Sequence, residues 1–270
     1  MRAHRVISLL DSISKLVERT AAHLIADHLE RRGKLHDGQY GCRKRRSAVD
    51  AVAVLMNRTQ QAWKEKKVAG ALLMDVKSAF NNVSRPVLSR RLTDLGIEPD
   101  LVRWTDSFMS DRKVKLVLEG KEGEEHEVET GVPQGSPVAP ILFTAYLSGV
   151  FDQVEAACPG IQGLSFVDDV AWWADGKTEK EVAEALGRAA TAALEWGKEN
   201  AVTFDRAKTE AMFLSKRRKK PTETVPVGDD QIPFNKQATR WLGVWIDSKM
   251  TLKEHHSARM KSARKAMGRI

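Results

Sequence analysis

Three carboxylates stand beside strongly apolar runs. Asp75 ends AGALLMD, and Asp168 and Asp169 separate LSFV from VAWW within GLSFVDDVAWWADG. A lone acid at a strand end is most often a helix cap or a solvated turn. Tight hairpin turns favour Asn-Gly or Asp-Gly, so Asp-Asp answers no need of the turn itself. Taken together the three acids read differently. Flanked by apolar strands, they would repel one another and raise one another's pKa unless cations neutralised them. Hard divalent ions with oxygen ligands, Mg²⁺ above all, suit such a cluster. Two such ions about 4 Å apart would clamp the attacking and leaving oxygens of a phosphoryl transfer. If that is the chemistry, the Asp75 carboxyl lies within metal-bridging reach of Asp168, on a neighbouring strand.

Other groups follow in a fixed order along the chain: Phe80 five positions after Asp75, then GVPQGSPVAPILF, the acid pair, Lys208-Thr209-Glu210, and WLGVWID. Pro133, Gly135 and Pro137 fix a tight turn into a helix, and Gln134 offers an amide. Any one of these blocks alone is as well explained as a turn, a helix start or a core aromatic.

The elements that must position these groups are legible in the hydrophobic pattern. LLDSISKLVERTAAHLIADHLERRG spaces Leu16, Ala21, Leu24, Ile25 and Leu29 at helical intervals, and Gly33 suits its C-terminus. A second helix begins at the Ser47/Asp50 capping pair. AGALLMDV is a nearly continuous apolar run, the mark of a strand covered on both faces. Pro86 opens and Gly96 closes a short helix, and EPDLVRWTDSFMS starts another. KVKLVLEGKEGEEHEVETG reads as a hairpin, and SPVAPILFTAYLSGVFDQVEAAC as one apolar helix. A Thr178/Glu181 capping box then opens a long helix. TEAMFLS and RWLGVWID are strand signals, and a basic helix runs to Ile270. Strands interleaved with helices in mixed order predict an α+β fold, a sheet packed on helices.

Composition narrows the class. The chain has 270 residues, 42% apolar and 30% charged, as expected of a folded globular protein. No run of 18 apolar residues suggests a membrane span, and the N-terminus lacks a secretory pattern, so an intracellular protein, nuclear or cytoplasmic, is expected. Cys42 and Cys158 lie too far apart for a zinc or disulfide framework. Adjacent His255 and His256 make a poor metal pair on a helix. The net charge of +8 is clustered in RKRR at 43–46, KRRKK at 216–220 and the last twenty residues. That pattern suits a polyanionic partner, although a solvated basic face would look the same.

In sequence order these blocks resemble the reverse transcriptase of non-LTR (LINE-type) retrotransposons along nearly the whole chain. HRVISLLDSISKLVER is similar to that family's opening block, and QYGCRKRRSAVDAV to its fingers block. LLMDVKSAFNNV is similar to the segment of the first palm acid, GVPQGSPVAPILF to the turn before the palm helix, and SFVDDVAWWA to the acid-pair hairpin. The FVDD and WWA wording most resembles elements from filamentous fungi.

The resemblance implies a right-hand polymerase palm, an antiparallel sheet packed on helices, with partial fingers over 1–70, palm over 71–247 and the beginning of a thumb helix over 248–270. It implies an RNA-directed DNA polymerase that extends a primer 3′-hydroxyl with dNTPs on an RNA template, using two Mg²⁺ ions, with Mn²⁺ as a substitute. Asp75, Asp168 and Asp169 would hold the metals together with the Val76 carbonyl, and Lys208 would stand by the leaving pyrophosphate. Arg5, Phe80, Gln134 and Gly135 would meet the nucleotide, with Phe80 excluding a 2′-hydroxyl. Arg43, Lys44 and Arg46 would grip the template, and WLGVWID would form the primer-grip hairpin, with Trp241, Leu242 and Gly243 at the primer. Departures from the family pattern fall at Val6, Cys42, Arg45, Asn81 and Val167. Arg45, where glycine is usual, is costly if that position needs positive φ, whereas Val167 for alanine is expected to do little harm. The chain also reads as a truncated copy or fragment, starting at the fingers and stopping inside the thumb. A catalytically inactive relic, an RNA-dependent RNA polymerase and a non-catalytic nucleic-acid-binding module remain alternatives, and oligomeric state is unknown.

Overall fold

The computed structural model describes residues 7–217, 221–235 and 237–268. In chain order the elements are α1 (Ser12–Arg31), α2 (Ala48–Lys64), β1 (Val68–Asp75), α3 (Arg85–Asp94), α4 (Pro99–Met109), β2 (Arg112–Leu118), β3 (Lys121–Val128), α5 (Ala139–Leu147) and α6 (Gly149–Ala157). There follow β4 (Gln162–Phe166), β5 (Asp169–Gly176), α7 (Glu179–Glu199), β6 (Glu210–Leu214), β7 (Thr224–Val227), β8 (Asp230–Pro233), β9 (Thr239–Trp241), β10 (Val244–Ile246) and α8 (Lys253–Met267). They form two compact units. One comprises Met1–His36, Lys77–Gly149 and Gly197–Thr203; the other comprises Asp37–Val76, Val150–Trp196 and Phe204–Ile270.

The second unit holds a four-stranded antiparallel sheet of order β4-β5-β1-β6. Its centre is β1, whose first seven residues are all buried. Period-2 alternation explains why an unbroken apolar run is needed there. Ala69, Ala71 and Leu73 join a core with Ala51, Val52 and Leu55 of α2, and with Trp173 and Met212 of the flanking strands. Gly70 points the other way, towards α7: a Cβ there would meet Val182 at 2.6 Å and Leu186 at 3.2 Å. The helices are fixed locally. Ser47 and Asp50 form the expected reciprocal capping box on α2, a motif that contributes about 1 kcal/mol. Thr178 accepts from the Glu181 N–H at 3.2 Å at the start of α7. Trp173 donates its indole N–H to Thr59, 3.0 Å away inside the core, tying β5 to α2.

RWLGVWID, a strand signal in the hydrophobic pattern and a hairpin by the family resemblance, is the hairpin of β9 and β10. Its two-residue turn puts Leu242 (φ 46°) and Gly243 (φ 81°) in the left-handed region, the type I′ pattern that matches strand twist. The hairpin β7–β8 was not anticipated. Its signal was present in VPVGDD: buried Val225 and Val227 alternate with exposed residues, and Gly228 (φ 62°) supplies the turn.

In the first unit, α1 buries Ala21, Ile25 and Leu29 but exposes Leu16 and Leu24, so three of the five spaced residues face the interior. Gly33 (φ 59°) and Gly96 (φ 75°) end α1 and α3 as expected. The expected single apolar helix over 136–158 is two helices, α5 and α6, and only Gly149 of α6 belongs to this unit. The break is at Ser148, whose hydroxyl donates to the Ala145 carbonyl at 2.7 Å and accepts from the Arg91 guanidinium at 2.8 Å. Such side-chain bonds compete with the helical ladder. The hairpin β2–β3 is exposed along almost its whole length.

Candidate active site

The sheet register settles which acids meet. Asp75 is the last residue of β1, and its direct antiparallel partner is Asp169, the first residue of β5. Opposed residues project from the same face with Cβ atoms about 5 Å apart. Asp75 has the parity of Leu73, and Asp169 that of Trp173, so both acids lie on the α2 side, at the rim of that core. Asp168 is one step back, in the two-residue turn between Phe166 and Asp169. Its carbonyl accepts from the Val76 N–H at 3.4 Å. The expected neighbouring strands are therefore adjacent, with Asp169, not Asp168, opposite Asp75. A one-residue register change would turn either strand over.

The charges act on one another across this arrangement. The carboxyl of Asp169 is pushed up to about 6, first by desolvation and then by the negative charges of Asp168 and Asp75. Asp169 as a residue keeps solvent access, so the desolvation is that of a pocket wall and not of a sealed interior. A cation already answers the cluster. The Lys208 ammonium lies 2.6 Å from Asp75 Oδ2 and 3.4 Å from Asp205 Oδ2, and the bond to Asp75 holds its pKa above the usual lysine value. Lys208 ends a short 3₁₀ turn, Arg206–Lys208. That turn is anchored where the Asp205 N–H donates to the Asp75 carbonyl at 2.8 Å. Asp205 was not singled out from the sequence, because nothing local marks it; only the fold brings its carboxylate to Lys208.

Asp75, Asp169 and Lys208 line a pocket of about 470 Å³ whose walls also include Leu73, Glu210, Arg240 and Trp241. Among the described residues no three His, Cys, Asp or Glu side chains converge as a closed metal cluster. The donor chemistry nevertheless fits a hard divalent ion. Mg²⁺ is commonly held by one or two carboxylates completed by water and substrate phosphates rather than by an all-protein cage. The mutual repulsion at Asp169 and the lysine drawn against Asp75 both mark a place that favours positive charge.

The basic loop is built onto the acid-bearing hairpin. Tyr40 N–H donates to the Ser165 carbonyl and Ser165 N–H to the Gly38 carbonyl, each at 2.8 Å. A Cβ at Gly41 would come within 2.4 Å of the Val167 nitrogen, so only glycine admits this approach. Within the loop, Arg46 bonds the carbonyl and carboxylate of Asp37 and lies over the Tyr40 ring, 5.2 Å from its centre. Arg43 donates to the Gln39 carbonyl at 3.3 Å, and Lys44 is exposed. Arg45 (φ 61°) and Cys42 (φ 59°) both take left-handed backbone, so the cost expected at Arg45 is incurred. Val167 (φ 60°) does so as well. The expectation of little harm there is corrected: a β-branched side chain in this region is strained.

Phe80, Gln134 and Gly135 belong to the other unit and lie near one another within it. The Phe80 carbonyl accepts from Val132 N–H at 2.7 Å, and its ring stacks on buried Phe143 with centroids 5.4 Å apart. The Gln134 carbonyl accepts from Ser8 N–H at 2.7 Å. Gly135 has φ 120°, and a Cβ there would meet the Ser8 carbonyl at 2.9 Å. Arg5 and Val6 lie outside the described residues. Trp241, Leu242 and Gly243 form the arm and turn of the β9–β10 hairpin, where the Gly243 carbonyl accepts from Arg259 at 3.4 Å.

Similarity to known proteins bears on the family and the fold. A family profile described as "Reverse transcriptase (RNA-dependent DNA polymerase)" matches residues 1–246. The chain is 27% identical over 255 residues to the probable RNA-directed DNA polymerase from transposon X-element of Drosophila melanogaster, covering 94% of this chain and 28% of that protein. It is 25% identical over 266 residues to the RNA-directed DNA polymerase from mobile element jockey of Drosophila funebris, covering 97% and 29%. The chain thus spans under a third of the length of these relatives. Among solved structures, apo telomerase from Candida tropicalis truncated from its C-terminal domain superposes with a TM-score of 0.59 at 14% identity, covering 89% of this chain and 45% of that one. Telomerase from the same organism with a fragment of telomeric RNA gives 0.60 at 13%, covering 90% and 37%. These likenesses show the polymerase fold. No described helix is long and apolar enough to cross a membrane.

Proposed function

The chain belongs to the reverse transcriptase family of RNA-dependent DNA polymerases, and on that premise we propose that it is the polymerase domain of a non-LTR retrotransposon. The observation that carries the reading is the pairing of Asp75 with Asp169, with Asp168 in the adjoining turn, on one antiparallel sheet. In this reading residues 1–70 contribute fingers, 71–247 the palm and 248–270 the start of a thumb. The wording of FVDDVAWWA supports an origin among the elements of filamentous fungi.

The substrates are an RNA template, a DNA primer and dNTPs. Asp75, Asp168, Asp169 and the Val76 carbonyl would hold two divalent ions, Mg²⁺ or in its place Mn²⁺. Such ions, when bound, supply charge neutralisation at the primer 3′-oxygen and the departing pyrophosphate. The chain's own residues orient the reactants. Lys208, whose side chain is largely exposed, leaves Asp75 once that charge is otherwise matched and stabilises or protonates the pyrophosphate oxygen. Phe80 packs against the sugar and leaves no room for a 2′-hydroxyl, while Gln134, Gly135 and Arg5 contact the nucleotide. Arg43, Lys44 and Arg46 face the template backbone, where Arg46 also keeps its loop in shape, and Trp241, Leu242 and Gly243 support the primer. Positioning and electrostatic complementarity account for most of catalysis in such transfers.

The test is primer extension on an RNA template with dNTPs and Mg²⁺, beside Asp168→Ala. Extension that the variant lowers by at least a hundredfold supports the reading; extension no greater than the variant's refutes it. Replacing dNTPs by rNTPs tests Phe80: wild type is expected to reject them, and Phe80→Ala to accept them.

A further inference from the structure

Resting on the polymerase reading, we propose that Glu18 is a positioning residue that fixes the turn over 133–138 in the shape that receives the incoming nucleotide. Glu18 lies on the inward stripe of α1, in register with Ala21, Ile25 and Leu29, and is 3% exposed. A residue that merely filled this position would be apolar. Burying a carboxylate instead is costly unless a donor meets it. The donor is the hydroxyl of Ser136, itself 4% exposed, which bonds Glu18 Oε2. Ser136 Oγ in turn accepts from the Val138 N–H at 3.3 Å, at the entrance to α5.

The hydroxyl therefore has one orientation: its proton goes to Glu18, and its lone pair faces the backbone of the turn. A bond from a hydroxyl to a carboxylate is among the stronger hydrogen bonds. Two other points hold the same turn. Ser8 N–H bonds the Gln134 carbonyl, and Val132 N–H bonds the Phe80 carbonyl. Glu18 supplies the third point, on the C-terminal side of Gln134 and Gly135. It does not itself meet the substrate. Its action passes through Ser136 to the backbone that presents those two residues.

The test compares Glu18→Leu, Glu18→Gln, Ser136→Ala and the Glu18→Leu/Ser136→Ala double variant in the full chain. Incorporation of a single nucleotide on an RNA template is expected to show KM for the dNTP raised at least fivefold in Glu18→Leu and Ser136→Ala. Their kcat and primer-template Kd should stay within twofold of wild type. Glu18→Gln keeps an acceptor oxygen and should restore KM to within twofold. The double variant should be no worse than either single variant. A second readout needs no turnover: amide hydrogen exchange at Ser136 and Val138 should be at least tenfold faster in Glu18→Leu and Ser136→Ala, and unchanged in Glu18→Gln. Additive KM effects, an unchanged KM, or exchange equal to wild type would overturn the proposal. If the wild-type chain extends no primer, the polymerase reading fails and the exchange measurement alone decides whether Glu18 holds the turn. Should Glu18→Leu not fold, Ser136→Ala reads the same bond.

Discussion

Replacing Asp169 with Asn in metal-free protein should stabilise the chain at neutral pH and leave it unchanged in acid. The Asp169 carboxyl rises from its ordinary value of 3.8 to about 6 in the folded chain, through desolvation and then repulsion from Asp168 and Asp75. Because the raised group is an acid, its protonated form is the one the fold prefers. Below about pH 4 the carboxyl is neutral in both folded and unfolded chains, so no penalty exists. Between about pH 4 and 6 the unfolded chain releases its proton first, and native stability falls. Above about pH 6 the penalty is complete. Without screening, a displacement of this size would amount to about 3 kcal/mol. Asp169 keeps solvent access, so screening reduces the expected gain to about 1 kcal/mol. Asn carries no charge and stands in for the neutral acid. Urea unfolding with a chelator present, at about pH 4 and about pH 8, should show a higher midpoint for Asp169→Asn only at the higher pH. Equal midpoints at about pH 8, or the same gain at both values, would show that the three carboxylates do not repel one another in the folded chain.

Other substitutions probe the scaffold around the acids. Val167→Gly and Arg45→Gly each relieve left-handed backbone that costs a side-chain-bearing residue about 1–2 kcal/mol. Part of that is returned through the greater freedom of glycine in the unfolded chain. Each should raise the denaturation midpoint by about 0.5–1 kcal/mol equivalent; a lower midpoint for both would contradict the conformations described. Gly163→Ala places a Cβ 2.5 Å from the Phe151 ring and 2.7 Å from Trp172. Calorimetry should show a loss of about 1–3 kcal/mol from overpacking, and an unchanged melting temperature would deny that contact. Thr59→Val keeps the volume but leaves the Trp173 indole N–H unpaired in the core. It should cost about 1–3 kcal/mol in urea unfolding, and a neutral result would mean that the indole finds another acceptor.

Legibility in the sequence followed the range of the forces involved. β1 was legible because a strand covered on both faces has to be apolar throughout, and both capping pairs because their partners lie three residues apart. The join between α5 and α6 was not, since it depends on Arg91 reaching Ser148 across 57 positions. The β9–β10 hairpin was legible only through the family resemblance, because Leu242 occupies a left-handed position that sequence preference assigns to Asn, Asp or Gly. Within the site, the apolar flanks of Asp75 and of Asp168-Asp169 marked all three acids. The pairing of Lys208 with Asp205 arises from a single turn of 3₁₀ helix, which carries no hydrophobic period to read.

The acid pair itself shows how one position changes the chemistry. If the turn were centred on Asp168 and Asp169, both acids would sit at its tip, β5 would begin after them, and no acid of β5 would stand opposite Asp75. Instead the central residues are Val167 and Asp168. Val167 alone of these two has positive φ, the pattern of a type II′ turn, in which glycine is normal at the first position. The chain thus accepts a strained valine, and by doing so draws Asp169 into β5, directly opposite Asp75. The turn is supported from outside, because Gly41 packs on the Val167 nitrogen while Gly38 and Tyr40 bond the two sides of Ser165. Two acids a residue apart are thereby given different tasks: Asp169 is held by the sheet and desolvated enough to shift its pKa, while Asp168 stays on the turn. Repulsion that would be useless in an ordinary hairpin becomes a defined preference for cations, set by where one strained residue places the turn.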